Sequence, residues 1–160
     1  MLIRRAEIAD IPHILRLLRQ VCNVHQDIRP EIFRRDGVKY TENDLKALLL
    51  DENRPVWCAV EGETFLGYCF CQWEEYRDSS VMIDRRELYI DDLCVDEARR
   101  GQGVATELYR HVVDRAKAAG AAFVTLNVWT GNLNAMRFYE KMGMKPRKIT
   151  MDLALEEEKC

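Results

Sequence analysis

The sequence predicts an α/β fold, a mixed β-sheet covered by helices on both faces, in one domain over residues 1–160. Three observations lead there. Apolar residues recur at helical spacing early and late in the chain, and strand-like runs fill the middle. The middle carries a hairpin signal, with Val56 to Val60 and Thr64 to Trp73 about the turn Glu61-Gly62-Glu63. No repeat, Gly/Ser linker or low-complexity run divides the 160 residues, apart from acidic Glu156-Glu157-Glu158.

The elements follow in order. Leu2 to Ala6 reads as a first strand. Asp10 suits a helix cap and Pro12 a first-turn position. Ile11, Ile14, Leu15, Leu18 and Val21 then form one apolar helical face. Arg29-Pro30 breaks the chain, and Pro30 to Arg35 reads as a further helical turn. Thr41 with Asp44 resembles a capping box, followed by Leu45, Leu48 and Leu49. After the hairpin, Asp78-Ser79-Ser80 marks a loop and Glu87 to Val95 a strand. Val104, Ala105, Leu108, Val112, Ala116 and Ala119 line a long helix that Gly120 ends. Phe123 to Trp129 is a strand, Asn132 to Met142 a helix closed by Gly143, and Ile149 to Leu155 a last strand.

Composition narrows the function. With 48% hydrophobic and 32% charged residues, the chain can build both a core and a solvated surface. A net charge of -3 disfavours a nucleic-acid partner. No apolar run approaches the roughly 20 residues that cross a bilayer, so no membrane partner is expected. MLIRRAEIAD lacks the apolar region of a signal peptide, so a cytoplasmic location is expected and the six cysteines are read as reduced thiols. Cys69 and Cys71 point to one face of a strand, but no second Cys/His pair completes a metal site.

One segment carries chemistry. A strand ends at Val95, and Gly101 and Gly103 then lead directly into a strong helix. The first amides of a helix have no internal acceptor and carry the positive end of its dipole, which makes a phosphate cradle. Arg99 and Arg100 add charge beside it. A plain Gly-containing turn would look the same on spacing alone. The loop is neither a Walker motif, lacking Gly-Lys-Ser/Thr, nor a dinucleotide fingerprint, lacking the third glycine.

Arg100-Gly101-Gln102-Gly103-Val104-Ala105 resembles the Arg/Gln-x-x-Gly-x-Gly/Ala signature of the GCN5-related N-acetyltransferases. Asn132 to Met144 resembles that family's Asn-x-x-Ala…Tyr-Glu-Lys-x-Gly-Phe helix, with Met144 in place of Phe. The resemblance implies an acetyl-CoA-dependent N-acetyltransferase with a mostly antiparallel sheet and a splayed parallel pair. It implies that the backbone of Leu93, Cys94 and Val95 binds the pantetheine arm, with one amide polarising the thioester carbonyl. It implies that the amides of Arg100, Gly101, Gln102, Gly103, Val104 and Ala105 hold the pyrophosphate, with the Thr106 hydroxyl nearby and Asn132 on the arm. Helix capping is the alternative role for Asn132.

Tyr139 matches the family's general acid, which returns a proton to the departing thiolate; core packing is its alternative. Asp91 and Asp92 are the candidate bases, Asp91 first. By resemblance it matches the glutamate proposed as base in polyamine-acetylating relatives, and because Asp is shorter a water relay is expected. A solvent-facing carboxylate with no role as base is the alternative. Strict alternation places the two acids on opposite faces, and a bulge would change that. Cys94 is not expected to carry an acetyl group, since Asp92 and Asp96 would raise its pKa. His25 borders the acceptor side by resemblance, either touching substrate or lying on the surface.

Residues 72–97 hold nine acids against three bases, a local charge of -6. That excess favours a cationic amine, such as a polyamine or lysine-like amine, with Trp73, Tyr76, Tyr89 and Trp129 as candidate aromatic faces. A solvated edge gives the same composition. Protein N-termini and lysine side chains are the alternative acceptors, and a catalytically silent acetyl-CoA-binding module is the non-enzyme alternative. An exposed sheet edge makes a homodimer an expectation.

Overall fold

The computed structural model describes residues 1–155, so Glu156-Glu157-Glu158 and Cys160 lie outside the described residues. Five strands, β1 (Leu2–Arg5), β2 (Val56–Glu61), β3 (Thr64–Tyr76), β4 (Arg85–Val95) and β5 (Phe123–Leu126), form one sheet in chain order. The first four are antiparallel, and β4 and β5 run parallel. Four helices cover it: α1 (Ile11–Ile28), α2 (Glu42–Leu48), α3 (Val104–Ala118) and α4 (Leu133–Lys141).

The amphipathic faces settle which helix lies on which side. Ile11, Ile14, Leu17 and Leu18 of α1 and Leu45 and Leu48 of α2 pack with Cys58, Phe65, Tyr68, Phe70 and Cys94. Val104, Leu108, Tyr109, Val112 and Ala116 of α3, with Phe138 and Tyr139 of α4, pack with Trp57, Cys69, Cys71, Leu88 and Ile90 on the other face. The alternation of a strand thereby feeds two cores at once. Leu17 is fully buried although the spacing of its neighbours did not select it, while Ala119 is exposed.

Several elements differ from expectation. Asp10 occupies the cap position of α1 but does not cap that helix with its side chain; the carboxylate is held by Arg4 at 2.7 and 3.0 Å and accepts the Glu7 amide in the capping box of the 3-10 turn Ile8–Asp10. A guanidinium that can meet both oxygens outcompetes one helix amide for a buried carboxylate. Pro30 to Arg35 does form a single helical turn that is not continued into a helix, with Ile32 and Phe33 amides both donating to the Arg29 carbonyl. Thr41 and Asp44 do form the reciprocal capping box at α2. The strand expected at Ile149 to Leu155 is not formed, because the segment pairs with no other strand among the described residues. Alternating side chains permit a strand, and only a partner edge makes one.

Candidate active site

The site is organised by one irregularity in β4. Phe70 faces Asp92 across the β3–β4 ladder and Cys71 faces Ile90, so Asp91 is an extra residue. This bulge has two consequences. The parallel ladder to β5 stops one residue before it, at the pair Ile90 and Leu126. Beyond that point β4 continues to Val95 with β3 on one side and no strand on the other. The bulge also turns both acids to the face covered by α1 and α2. Asp91 meets Tyr40 there, and Asp92 meets Tyr68.

The unpaired stretch of β4 has a defined polarity. Asp96 donates its amide to the Leu66 carbonyl, so the next residue bonded to β3 is Cys94, opposite Tyr68. Leu93 and Val95 therefore turn their amides and carbonyls to the open side, whereas the Cys94 backbone faces β3. The Gln20 side chain donates to the Val95 carbonyl at 2.9 Å and braces that end. Of the three residues expected to offer backbone groups, Cys94 is the one the register withholds. Its thiol is buried, 3.6 Å from the Leu17 carbonyl. Burial, with Asp92 next, pushes the thiol pKa far up, which keeps it a poor nucleophile.

Arg100 to Gly103 form the turn into α3. Gly101 and Gly103 have φ of +75° and +82°, a region L side chains rarely enter. No atom lies within 4 Å of where a Cβ would sit on either, so the approach to their backbone is open. Gly103 caps α3, and the first intrahelical bond runs from the Glu107 amide to the Gly103 carbonyl. The amides of Val104, Ala105 and Thr106 therefore have no acceptor within the helix. Gln102 is exposed, with its amide nitrogen 3.5 Å from the Ala98 carbonyl, and Thr106 is half-buried. A phosphate group fits this open, amide-lined surface.

Tyr139 and Asn132 come from α4. Asn132 accepts the Ala135 amide at 3.2 Å, so it is a helix cap in this structure. Tyr139 lies half-buried against Phe138 and Tyr109, with ring centroids 5.1 and 6.2 Å away. Its hydroxyl makes no hydrogen bond to a described residue, although its ring packs as the core reading anticipates. Burial pushes the phenol pKa well above its ordinary range, and Cys69 and Asp92 add to this, so both lie within electrostatic reach of the hydroxyl. Tyr139 packs on the α3–α4 side of the sheet and Asp92 lies with Tyr68 on the α1–α2 side, so the two approach the end of the β4–β5 ladder from opposite faces.

The two acids have different surroundings. Asp91 is ion-paired: Lys39 Nζ lies 2.6 and 2.7 Å from its oxygens, and the Tyr40 hydroxyl donates at 3.2 Å. Asp92 has no cation in contact among the described residues and accepts the Tyr68 hydroxyl at 2.6 Å. Burial pushes the Asp92 carboxyl up to about 6, against the Tyr68 hydrogen bond and the more distant Lys39 charge, with Asp91 raising it further. Lys39, Tyr40 and Tyr68 carried no local signal. Register across the bulge is what sets Tyr68 near Asp92, and a long connection is what returns Lys39 to the sheet.

The acceptor side differs from the charge count. Lys39 pairs with Asp91, Arg16 with Asp96, Arg77 and Arg86 with Glu75, and Arg85 and Arg147 with buried Glu87. Lys39, Arg16 and Arg147 come from outside the counted window and offset half of its charge of -6. The aromatic faces are taken as well: Arg86 lies 3.9 Å from the Trp73 ring centre, Arg85 4.2 Å from Tyr76 and Arg29 5.7 Å from Trp129. Tyr89 accepts the Asn127 amide at 3.2 Å. His25 packs against Phe33 with the rings tilted by 40°, Phe33 meets Trp129 edge-on, and burial together with Lys39 lowers the His25 pKa. Among the described residues no cluster of His, Cys, Asp or Glu could hold a metal ion, and no helix is long and apolar enough to cross a membrane.

Comparison with known proteins agrees with this architecture. Residues 18–144 match the Acetyltransferase (GNAT) family. The chain is 27% identical over 149 residues to the thialysine N-epsilon-acetyltransferase of Sus scrofa, covering 90% of this chain and 84% of that one. It is 25% identical over 133 residues to N-alpha-acetyltransferase 30 of Schizosaccharomyces pombe, covering 83% and 81%. A crystal structure of a mutant BH1408 protein from Bacillus halodurans superposes with a TM-score of 0.93 at 31% identity, covering 98% of this chain and 100% of that one.

Proposed function

Because this chain belongs to the acetyltransferase (GNAT) family and is therefore an acyl-CoA-dependent N-acetyltransferase, we propose that it transfers acetyl from acetyl-CoA to a primary amine of a small cationic molecule, a polyamine or lysine-like amine, with both substrates bound together. The observation that carries this reading is the bulge at Asp91. It ends the β4–β5 ladder and leaves Asp92, with its raised pKa, beside that opening and within electrostatic reach of Tyr139.

Bound acetyl-CoA supplies the thioester carbon that the amine attacks. The open-side backbone groups of Leu93 and Val95 bind the arm, and an amide of this pair stabilises the developing oxyanion. The α3 amides from Val104 to Thr106 and the turn from Arg100 to Gly103 hold the pyrophosphate, and Asn132 borders the arm while it caps α4. Asp92 accepts the proton of the incoming ammonium, directly or through water. A carboxyl titrating near 6 is ionised at neutral pH and is a better base than an ordinary one. Asp91, held by Lys39, orders the acceptor side instead. Tyr139 remains protonated across the working pH range; it delivers its proton to the departing sulfur and takes up in its place the second proton that leaves the acylated nitrogen, so it ends the cycle as the phenol.

The relative acting on thialysine supports a small amine, and so does the connection between α1 and α2, which brings Phe33 to Trp129 and Lys39 to Asp91. The yeast N-alpha-acetyltransferase supports the second reading, a protein N-terminus. Release of free CoA thiol, measured over polyamines, lysine analogues, aminoglycosides and N-terminal peptides, decides between them. The highest kcat/KM is expected for a small diamine or lysine analogue; a peptide N-terminus in first place would replace this reading with the second.

A further inference from the structure

The connection between α1 and α2 places a primary amine of the chain itself on the acceptor side of the site. Lys39 Nζ lies 2.6 and 2.7 Å from the two oxygens of Asp91 and 5.4 Å from the centre of the Tyr40 ring. A cationic acceptor would seek the same surroundings, a carboxylate beside an aromatic face. Among the described lysines, Lys39 alone pairs with an acid of the sheet; Lys46 pairs with Glu42 within α2.

The backbone that carries Lys39 is held. Asn23 and Asp36 exchange two hydrogen bonds, at 2.9 and 2.7 Å, and Arg35 meets Gln26 and Asp27, so the connection is tied along α1. Tyr40 stacks on Phe70 of β3, and its hydroxyl links Asp91 to Arg54. The Lys39 side chain is half-exposed, so its four-carbon stem can turn about a fixed base. Asp91 stands two residues before Leu93, about 7 Å along the strand from the backbone assigned to the thioester. Asp92 lies between them, within electrostatic reach of Lys39.

Resting on the acetyl transfer proposed above, we propose that Lys39 is a self-acetylation site: with acetyl-CoA bound and no amine present, the chain moves the acetyl group to its own Lys39 Nζ. Asp92 takes one proton from the ammonium and passes it to water. The freed Nζ lone pair bonds to the thioester carbon, and the C–S bond breaks. Tyr139 protonates the thiolate and recovers the second proton from nitrogen. The products are an amide at Lys39, free CoA thiol and one proton released to solvent. Holding amine and thioester on one chain removes the need for a second encounter. Burial lowers the Lys39 pKa, but the hydrogen bond and charge of Asp91 outweigh it and raise the value, so the ammonium form is favoured. Self-acetylation is therefore slower than transfer to a free acceptor, and an acceptor bound at Asp91 suppresses it. The amide carries no charge, so the modified chain loses the Lys39–Asp91 pair.

Mass spectrometry of the full chain incubated with isotope-labelled acetyl-CoA, followed by peptide mapping, tests this. One acetyl group per chain is expected, on Lys39, at a rate independent of protein concentration. It should form at least about tenfold faster than at any other lysine, well below the gain that held reactants can reach. An excess of an accepted amine should suppress it. Lys39→Arg keeps a cation for Asp91 and should lose this label alone. Tyr139→Phe should slow labelling by about the factor by which it slows amine turnover. Acetyl groups spread evenly over the exposed lysines, as uncatalysed acetylation gives, overturn the proposal. A rate that rises with protein concentration overturns it too, since one copy would then modify another. If added amines release CoA thiol while Lys39 stays unmodified in their absence, self-acetylation fails and the function proposed above stands. If neither an amine nor Lys39 is acetylated, both fail.

Discussion

The turn into α3 and the acidic face of β4 lie on either side of Val95, and they are built on different principles. From Arg100 to Thr106 the chemistry belongs to the backbone: two glycines with positive φ, open space above them, and helix amides without acceptors. Adjacent residues in the chain suffice to make that surface. The face holding Asp91 and Asp92 is made of side chains from distant segments, with Lys39 and Tyr40 from one connection and Tyr68 from β3. A backbone site survives many side-chain changes, while a side-chain site depends on register. Single substitutions should therefore act differently in the two regions.

The largest effect is expected at Tyr139. Tyr139→Phe keeps the ring against Tyr109 and Phe138 and removes the proton donor. Turnover should fall about 10²–10⁴-fold, with acetyl-CoA affinity nearly unchanged. Steady-state kinetics and calorimetric titration with CoA check this. Near-normal turnover in a variant of ordinary stability would reduce Tyr139 to a packing residue.

Asp92→Asn sharpens the contrast, because it should separate activity from stability. Turnover should drop about 10²-fold or more. The wild-type acid limb of kcat/KM should lie near pH 6, with activity lost as pH falls through it, because the base works only when ionised. The stability sign is opposite. The folded Asp92 pKa of about 6 exceeds the ordinary carboxyl value, so the folded state binds the extra proton. This group therefore adds stability as pH falls through 6 and costs stability above it. Thermal melts at pH 8 should show Asp92→Asn at least as stable as wild type; a clear loss would mean that the ionised carboxylate is favourable where it sits.

Gly103→Ala probes the backbone region. A Cβ there meets no protein atom, but φ of +82° is unfavourable for Ala. The expected result is about 1–2 kcal/mol lower stability together with weaker CoA binding by more than about tenfold. Unchanged affinity in the folded variant would remove this turn from the site.

Smaller effects are expected from the Lys39–Asp91 pair. Asp91→Asn should lower turnover less than about tenfold, below the range of a lost general base. Lys39→Met removes a cation that lowers the Asp92 pKa, so the acid limb should move to higher pH. If Asp91→Asn proves as damaging as Asp92→Asn, the assignment of the base between these neighbours is reversed.

Patterns that act within a few residues were readable from the chain. The Thr41–Asp44 capping box, the Asn132 cap, the left-handed Gly120 and Gly143, and the glycine turn into α3 all depend on local geometry, and all formed. The apolar stripes of α1 and α3 likewise showed which faces would be buried. Contacts that close over long separations were not readable. Counting charge from residue 72 to 97 could not foresee Lys39, Arg16 and Arg147 arriving from elsewhere. Alternation could not place Asp91 and Asp92, because one extra residue in β4 reversed the face of everything beyond it. The alternating residues 149–155 could not reveal that no strand among the described residues would receive them. Helix caps, glycine conformations and apolar periodicity are short-range energies written in neighbouring residues. Ion pairs, bulge register and strand partnership belong to surfaces that exist once the sheet has assembled, and there the acids of β4 acquired their separate surroundings.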